Sequence, residues 1–391
     1  MATKNAFICR DVLLPQERAR RRPLPEWVDE IHASLDRARD GWANDLPGAT
    51  TGVMACFNQA ALLEVHFGRK HLAEGLCMRA LSWLDGLIAQ TGNIECYKNG
   101  FQPFVNLARL DRINGSWTEA LSKLDVLRDG LNLHSIRLHH LAVADDVLRI
   151  ILQDNKLLTI LNNMCMIERL KTLLKAEMYD QVLDLAVEPS TGALLPQFLA
   201  EAQEVAFCCT GEFGLARRLV ERYLHRAASA DPTVFLFRFA EVLAASGEHG
   251  AALNALLKLK DIFVRSQAKL GSEPLTLMNR LTLLLRTSSL FSHLNAQEEC
   301  RELAWLGYRA ALQLDDVPLI CEFLHLLARA GLQDIHGKNI STLVLETKER
   351  AWYGVAQAPR GPAEQAYAIH AVDKLFQSLI FFSDQMVIAV A

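Results

Sequence analysis

The stretch Ala61–Ala80, ALLEVHFGRKHLAEGLCMRA, carries a small residue at Ala61, a turn at Phe67–Gly68, and small residues again at Ala73 and Ala80. The apolar positions on both sides of the turn follow a helical period. Two antiparallel helices approach closely where a small residue on each faces the other, and a glycine between them supplies the reversal with φ > 0. This stretch therefore reads as a helix–turn–helix hairpin.

The same offsets recur along the chain. Around Gly115 they give Ala108, Ala120 and Leu127, and around Gly247 they give Ala240 and Ala252. Around Asn295 they give Ser288, Cys300 and Gly307. Weaker copies surround Gly211, with Ala216 and Tyr223, and begin at Gly331; Ala176–Val182 repeats the turn chemistry without its small residues. One hairpin cannot bury its own apolar face, so successive hairpins stack and share a core. Breaks such as Glu188–Gly192, Ser229–Thr233 and Gly271–Pro274 separate helical segments, and strand-like alternation is nowhere sustained. The class is all-α.

Ala61/Gly68/Ala73/Ala80 matches all four small-residue positions of the tetratricopeptide-repeat superfamily, and Ala240/Gly247/Ala252 matches three, so the chain resembles that superfamily over roughly residues 51–345. The resemblance implies a right-handed α-solenoid of about seven helix-turn-helix repeats. The turns at 68, 115, 177, 211, 247, 295 and 331 are unevenly spaced, which implies lengthened or inserted helices, notably around Leu138–Gln153. Residues 1–50 read as an arm and a first helix, 51–357 as the repeat domain, and 358–391 as a capping or dimerisation helix. Within the first of these, Trp27, Ile31, Leu35 and Ala38 share one helical face, and Asp45–Gly52 (DLPGATTG) reads as a linker.

Composition bounds the rest. Of 391 residues 51% are hydrophobic and 22% charged, with 12 prolines, which excludes a disordered chain. A formal charge of −4 argues against a nucleic-acid partner, and Arg18–Arg22 is followed at once by prolines and acidic residues, as in a solvated arm. Nine scattered cysteines without a Cys-x-x-Cys pair argue against a zinc ribbon or a disulfide framework. Met1–Arg10 lacks the apolar core of a signal peptide and no apolar run is long enough for a span, so a cytoplasmic protein without membrane partners is expected.

Catalytic motifs are incomplete. His139 and His140 diverge by about 100° on a helix, so with His134 they make a poor metal cluster. Asp145-Asp146-Val147-Leu148-Arg149 is similar to the aspartate-rich motif of terpene cyclases, but Arg149 stands where a carboxylate would hold the metal. Glu322 and His325 have the Glu-x-x-His spacing of di-iron bundles, yet the second pair such a site needs is missing. No cofactor is expected.

The resemblance places the first helix of each repeat along a concave groove. Its register assigns Gln59, His66, Asn106, Arg109, Arg112, Arg238, Glu241, Arg286, Ser289, His293, Glu322, His325 and Arg329 to that groove. Asn106, Arg109, Arg112, Arg238, Arg286, His293 and Arg329 are the candidate ligand-binding residues. Arginine's planar fork suits carboxylates and phosphates. The expected function is a scaffold that binds an acidic peptide, a protein partner or an anionic small molecule. The alternative is an enzyme or ligand sensor using the same groove. The chaperone-tail clamp of that superfamily needs a Lys/Asn set to which only Asn58 or Asn106 could belong.

Overall fold

The reversals foreseen at 115, 177, 211, 247, 295 and 331 all hold a residue in the left-handed region, with φ between 60° and 87°. Each closes its helix in the same way. At Gly115 the backbone N–H bonds the Arg112 carbonyl at 3.1 Å, and the N–H of Ser116 bonds Asp111 at 2.9 Å. Glu177, Gly211, Gly247, Asn295 and Gly331 repeat this pair of bonds, the Schellman arrangement that satisfies the last carbonyls of a helix. At five of the six the next helix starts at once. Five residues past those turns stand Ala120, Val182, Ala216, Ala252 and Cys300, all fully buried.

A computed structural model describes residues 24–66, 69–132, 155–185, 194–226, 233–265, 274–314 and 317–353. The arm at Arg18–Arg22, the turn at Gly68, the segment from His134 to Arg149 and the expected C-terminal helix over 358–391 lie outside them. The chain divides into two units, the N-terminal one running from Pro25 to Leu199 and the C-terminal one starting at Ala200.

The N-terminal unit contains α1 (Leu24–Gly41), α2 (Leu46–His66), α3 (Lys70–Thr91), a 3-10 helix (Ile94–Gly100), α4 (Phe101–Asn114), α5 (Trp117–Asn132), α6 (Asn155–Lys175) and α7 (Tyr179–Leu183). Each helix from α2 to α7 packs on its successor, α7 on α6 closing the series, and α2–α4 and α4–α6 also touch, so the even-numbered helices lie side by side. The 3-10 helix packs on α2, α3 and α4 and fills part of the long step between the turns at 68 and 115. In the core Trp83 packs against Trp42 and Phe57, with ring centroids 6.1 and 6.3 Å away.

One expectation is corrected. Asp45–Gly52 is no linker, because α2 begins at Leu46. The Asp45 carboxylate accepts the N–H of Gly48 at 3.0 Å, an N-cap, and Pro47 lies in the first turn, where its missing N–H costs nothing. A Cβ added at Gly52 would stand 3.5 Å from the Ala38 methyl, an ordinary contact, so α2 faces α1 here without needing a glycine. The Pro/Gly/Thr composition marks a helix start. Ile31, Leu35 and Ala38 are buried, as their shared face requires.

In the C-terminal unit, α8 (Leu194–Thr210), α9 (Phe213–Arg226), α10 (Thr233–Ala245), α11 (His249–Arg265), α12 (Pro274–His293), α13 (Gln297–Leu314), α14 (Val317–Arg329) and α15 (Ile340–Tyr353) follow one another. From α9 onward each packs on the next, and α10–α12 and α12–α14 are also in contact. One apolar core runs from Phe237 on α10 to Val344 on α15. After Gly331 the pattern changes: a two-stranded antiparallel hairpin, Asp334–Ile335 with Lys338–Asn339, precedes α15. No helix among the described residues is long and apolar enough to cross a membrane.

Gly307 marks the tightest approach. A Cβ there would overlap the ring of Phe323 and sit 2.6 Å from Leu284 Cδ2, both of them buried. Gly307→Ala therefore overpacks the contact of α13 with α12 and α14. A loss of at least about 1–3 kcal/mol is expected in urea unfolding. Gly250→Ala, where a Cβ meets nothing within 4 Å, serves as the control and should be neutral or slightly stabilising.

Candidate functional site

Stacking the even-numbered helices aligns a polar stripe from each. Asn106, Glu168, Arg238 and Arg286 all stand nine residues before their turn residue, at Gly115, Glu177, Gly247 and Asn295. Within each unit these stripes meet as a network of charged and amide side chains.

In the N-terminal unit the network crosses α2, α4 and α6. Asn106 donates to Asn58 Oδ1 at 3.1 Å and accepts from Gln102 at 3.0 Å and from Arg109 at 2.9 Å. Arg109 also donates to Glu168 at 3.0 Å, Arg112 donates to the other oxygen of Glu168 at 2.5 Å, and Lys171 donates at 2.7 Å. Glu168 is only 2% exposed and is thus shared by three cations. Setting Arg109 aside, Arg112 and Lys171 still outnumber it. Burial alone would raise the Glu168 pKa, but Arg109, Lys171 and Arg112 together bring it down to about 2. Lys171 is shifted down by burial, with Glu168 opposing. Arg169 and Asp125 form a further ion pair joining α6 to α5, and Lys123 pairs with Asp111 between α5 and α4.

The C-terminal network crosses α8, α10 and α12. Arg238 donates from one terminal nitrogen to Glu201 at 2.7 Å and from the other to Glu241 at 2.9 Å. Glu204 lies 3.2 Å from the second nitrogen. Arg286 stands 3.6 Å from Glu241, with its guanidinium 4.6 Å from the Phe237 ring centroid. Here carboxylates surround the arginines, and both guanidiniums are more than nine-tenths buried.

The expected binding residues are therefore distributed as follows. Asn106, Arg109 and Arg112 converge on Glu168, while Arg238 and Arg286 converge on Glu241. His293 ends α12, half-buried, and Arg329 is exposed in the last turn of α14. Glu322 and His325 are both exposed on α14, and among the described residues no group of three possible metal ligands occurs. Seven of the eight described cysteines are buried, and no two of them form a disulfide. Burial pushes the thiols of Cys77 and Cys165 up to about 12, which suits packing and not nucleophilic chemistry.

Sequence reasoning overlooked Glu168, Lys171, Glu201 and Glu204. The turn at Glu177 lacks the small-residue signature, so its first helix was not aligned with the others. Counting nine residues back from it would have placed Glu168 beside Asn106.

No protein-family model, no curated protein and no solved structure matches this chain.

Removing Glu168 should expose the cost of its cationic neighbours. Glu168→Ala leaves Arg109, Arg112 and Lys171 without their shared partner, and a loss of about 3–5 kcal/mol is expected in urea unfolding. The folded pKa of Glu168 is depressed, so its contribution is complete above the ordinary value of 4.5 and disappears as pH falls toward 2. The wild-type chain should lose stability across that acid range more steeply than Glu168→Ala.

Proposed function

We propose that this is a tetratricopeptide-like helical-repeat binding protein, its hairpins wound right-handed, that takes an acidic peptide segment of a partner protein on the polar faces of α2, α4 and α6. It acts as a scaffold in the cytoplasm. The observation that carries the reading is the charge imbalance around Glu168, where one buried carboxylate is shared by Arg109, Arg112 and Lys171. A partner carboxylate arriving beside Arg112 and Lys171 would meet charge that Glu168 does not neutralise. The amides of Asn58, Gln102 and Asn106 extend the same face, and each offers both a donor and an acceptor, as a peptide backbone requires. Gln59 on α2 adds a buried Oε1 that accepts no hydrogen bond from the described residues. The C-terminal network supports this choice of unit by contrast, since its arginines are enclosed by carboxylates of the chain itself.

The test is fluorescence anisotropy with a labelled oligo-glutamate peptide and an oligo-glutamine control. The acidic peptide should bind selectively, with affinity falling as salt is raised. The double substitution Arg112→Gln with Lys171→Gln leaves the Arg109–Glu168 pair in place and should weaken binding about tenfold or more. Equal affinity of the two proteins, or of the two peptides, would overturn the proposal.

A further inference from the structure

Glu204 is 2% exposed and shares its nearest cation, Arg238, with two other carboxylates. Among the described residues its Oε1 meets only the weakly donating thiol of Cys208 at 3.9 Å, and its Oε2 lies 3.2 Å from a terminal nitrogen of Arg238 without accepting a hydrogen bond from it. The nearest cation, Arg238, already directs one terminal nitrogen at Glu201 and the other at Glu241. An ionised carboxylate buried this way costs several kcal/mol, a penalty that a proton removes.

The surrounding groups lead to the same conclusion. Charged neighbours reach Glu204 from all three helices of the network: Glu201 from α8 itself, Arg238 and Glu241 from α10, and Arg286 from α12. The neighbouring helix α9 contributes Ala216 and Val220, which pack with Cys208 and Val242 and bring no charge. Ionised, Glu204 would set a second buried negative charge beside Glu241, facing an Arg238 nitrogen that already donates to Glu241.

We propose that Glu204 is held as a neutral carboxylic acid inside the C-terminal unit and that its ionisation loosens the packing of α8, α10 and α12, making this unit a pH-responsive element. Burial raises the carboxyl to about 8, with Arg238 opposing, Glu241 reinforcing, Arg286 opposing and Glu201 reinforcing. A raised folded pKa gives stability that is complete below the ordinary value of 4.5 and is lost as pH rises through about 8. The direction is opposite to that of Glu168. Acid weakens the N-terminal network, and alkali weakens the C-terminal one.

Infrared titration of the full chain provides the direct test. At about pH 6.5, above the ordinary carboxylate range, the wild-type protein should show the carbonyl stretch of a neutral carboxylic acid, and this band should fade as pH is raised toward about 9. Glu204→Gln should lack the band. In urea unfolding, the midpoint of the wild type should fall relative to that of Glu204→Gln between about pH 5.5 and pH 8.5. Should Glu204→Gln fold poorly, the wild-type band still decides, because its absence at about pH 6.5 overturns the proposal. Parallel midpoint profiles for the two proteins, or a band that persists in Glu204→Gln, would do the same.

Discussion

Everything in this structure hangs on one backbone event, the left-handed residue that ends a first helix and starts its partner. At 115, 177, 211, 247 and 295 the turn residue closes two Schellman bonds, and the next helix begins within a residue or two. So short a connection leaves the following helix little choice but to run back antiparallel. The buried residue five positions later, small in every case but Val182, then decides how near it comes. Once reversal and spacing are repeated, the first helices lie side by side, and whatever polar residues they carry at one offset are brought together.

That consequence is electrostatic as well as geometric. A row of first helices whose shared face carried unmatched charge would be expensive to bury. The two units answer this differently. In one, a single carboxylate, Glu168, is shared by three cations beside a group of amides. In the other, Glu201, Glu204 and Glu241 share the guanidinium of Arg238.

How legible this was in the sequence varied with the range of the interaction. Turns and small residues are local, and Gly115, Gly247 and Asn295 could be read by offset alone. Glu177 was harder, since glutamate, unlike glycine or asparagine, is not favoured in the left-handed region. Asp45–Gly52 misled because proline, glycine and threonine mark helix starts as well as linkers, and only the capping bond from Asp45 to Gly48 distinguishes the two. The strand pair after Gly331 was missed because strands of two residues are too short to show alternation.

The arginines show where sequence reading stops. That Arg109, Arg112, Arg238 and Arg286 lie on first helices followed from the repeat register, because side-chain direction on a helix is set by its 3.6-residue period. Whether each would meet solvent, a ligand or a carboxylate did not follow. Glu168 lies more than fifty residues from the arginines it binds, and Glu201 and Glu204 more than thirty from Arg238. The sequence by itself determined the helices, most of their reversals and the polar offset, since these depend on bonds between near neighbours. The tertiary structure alone decided which charges meet, because pairing depends on how stacked helices bring distant residues within a few ångströms.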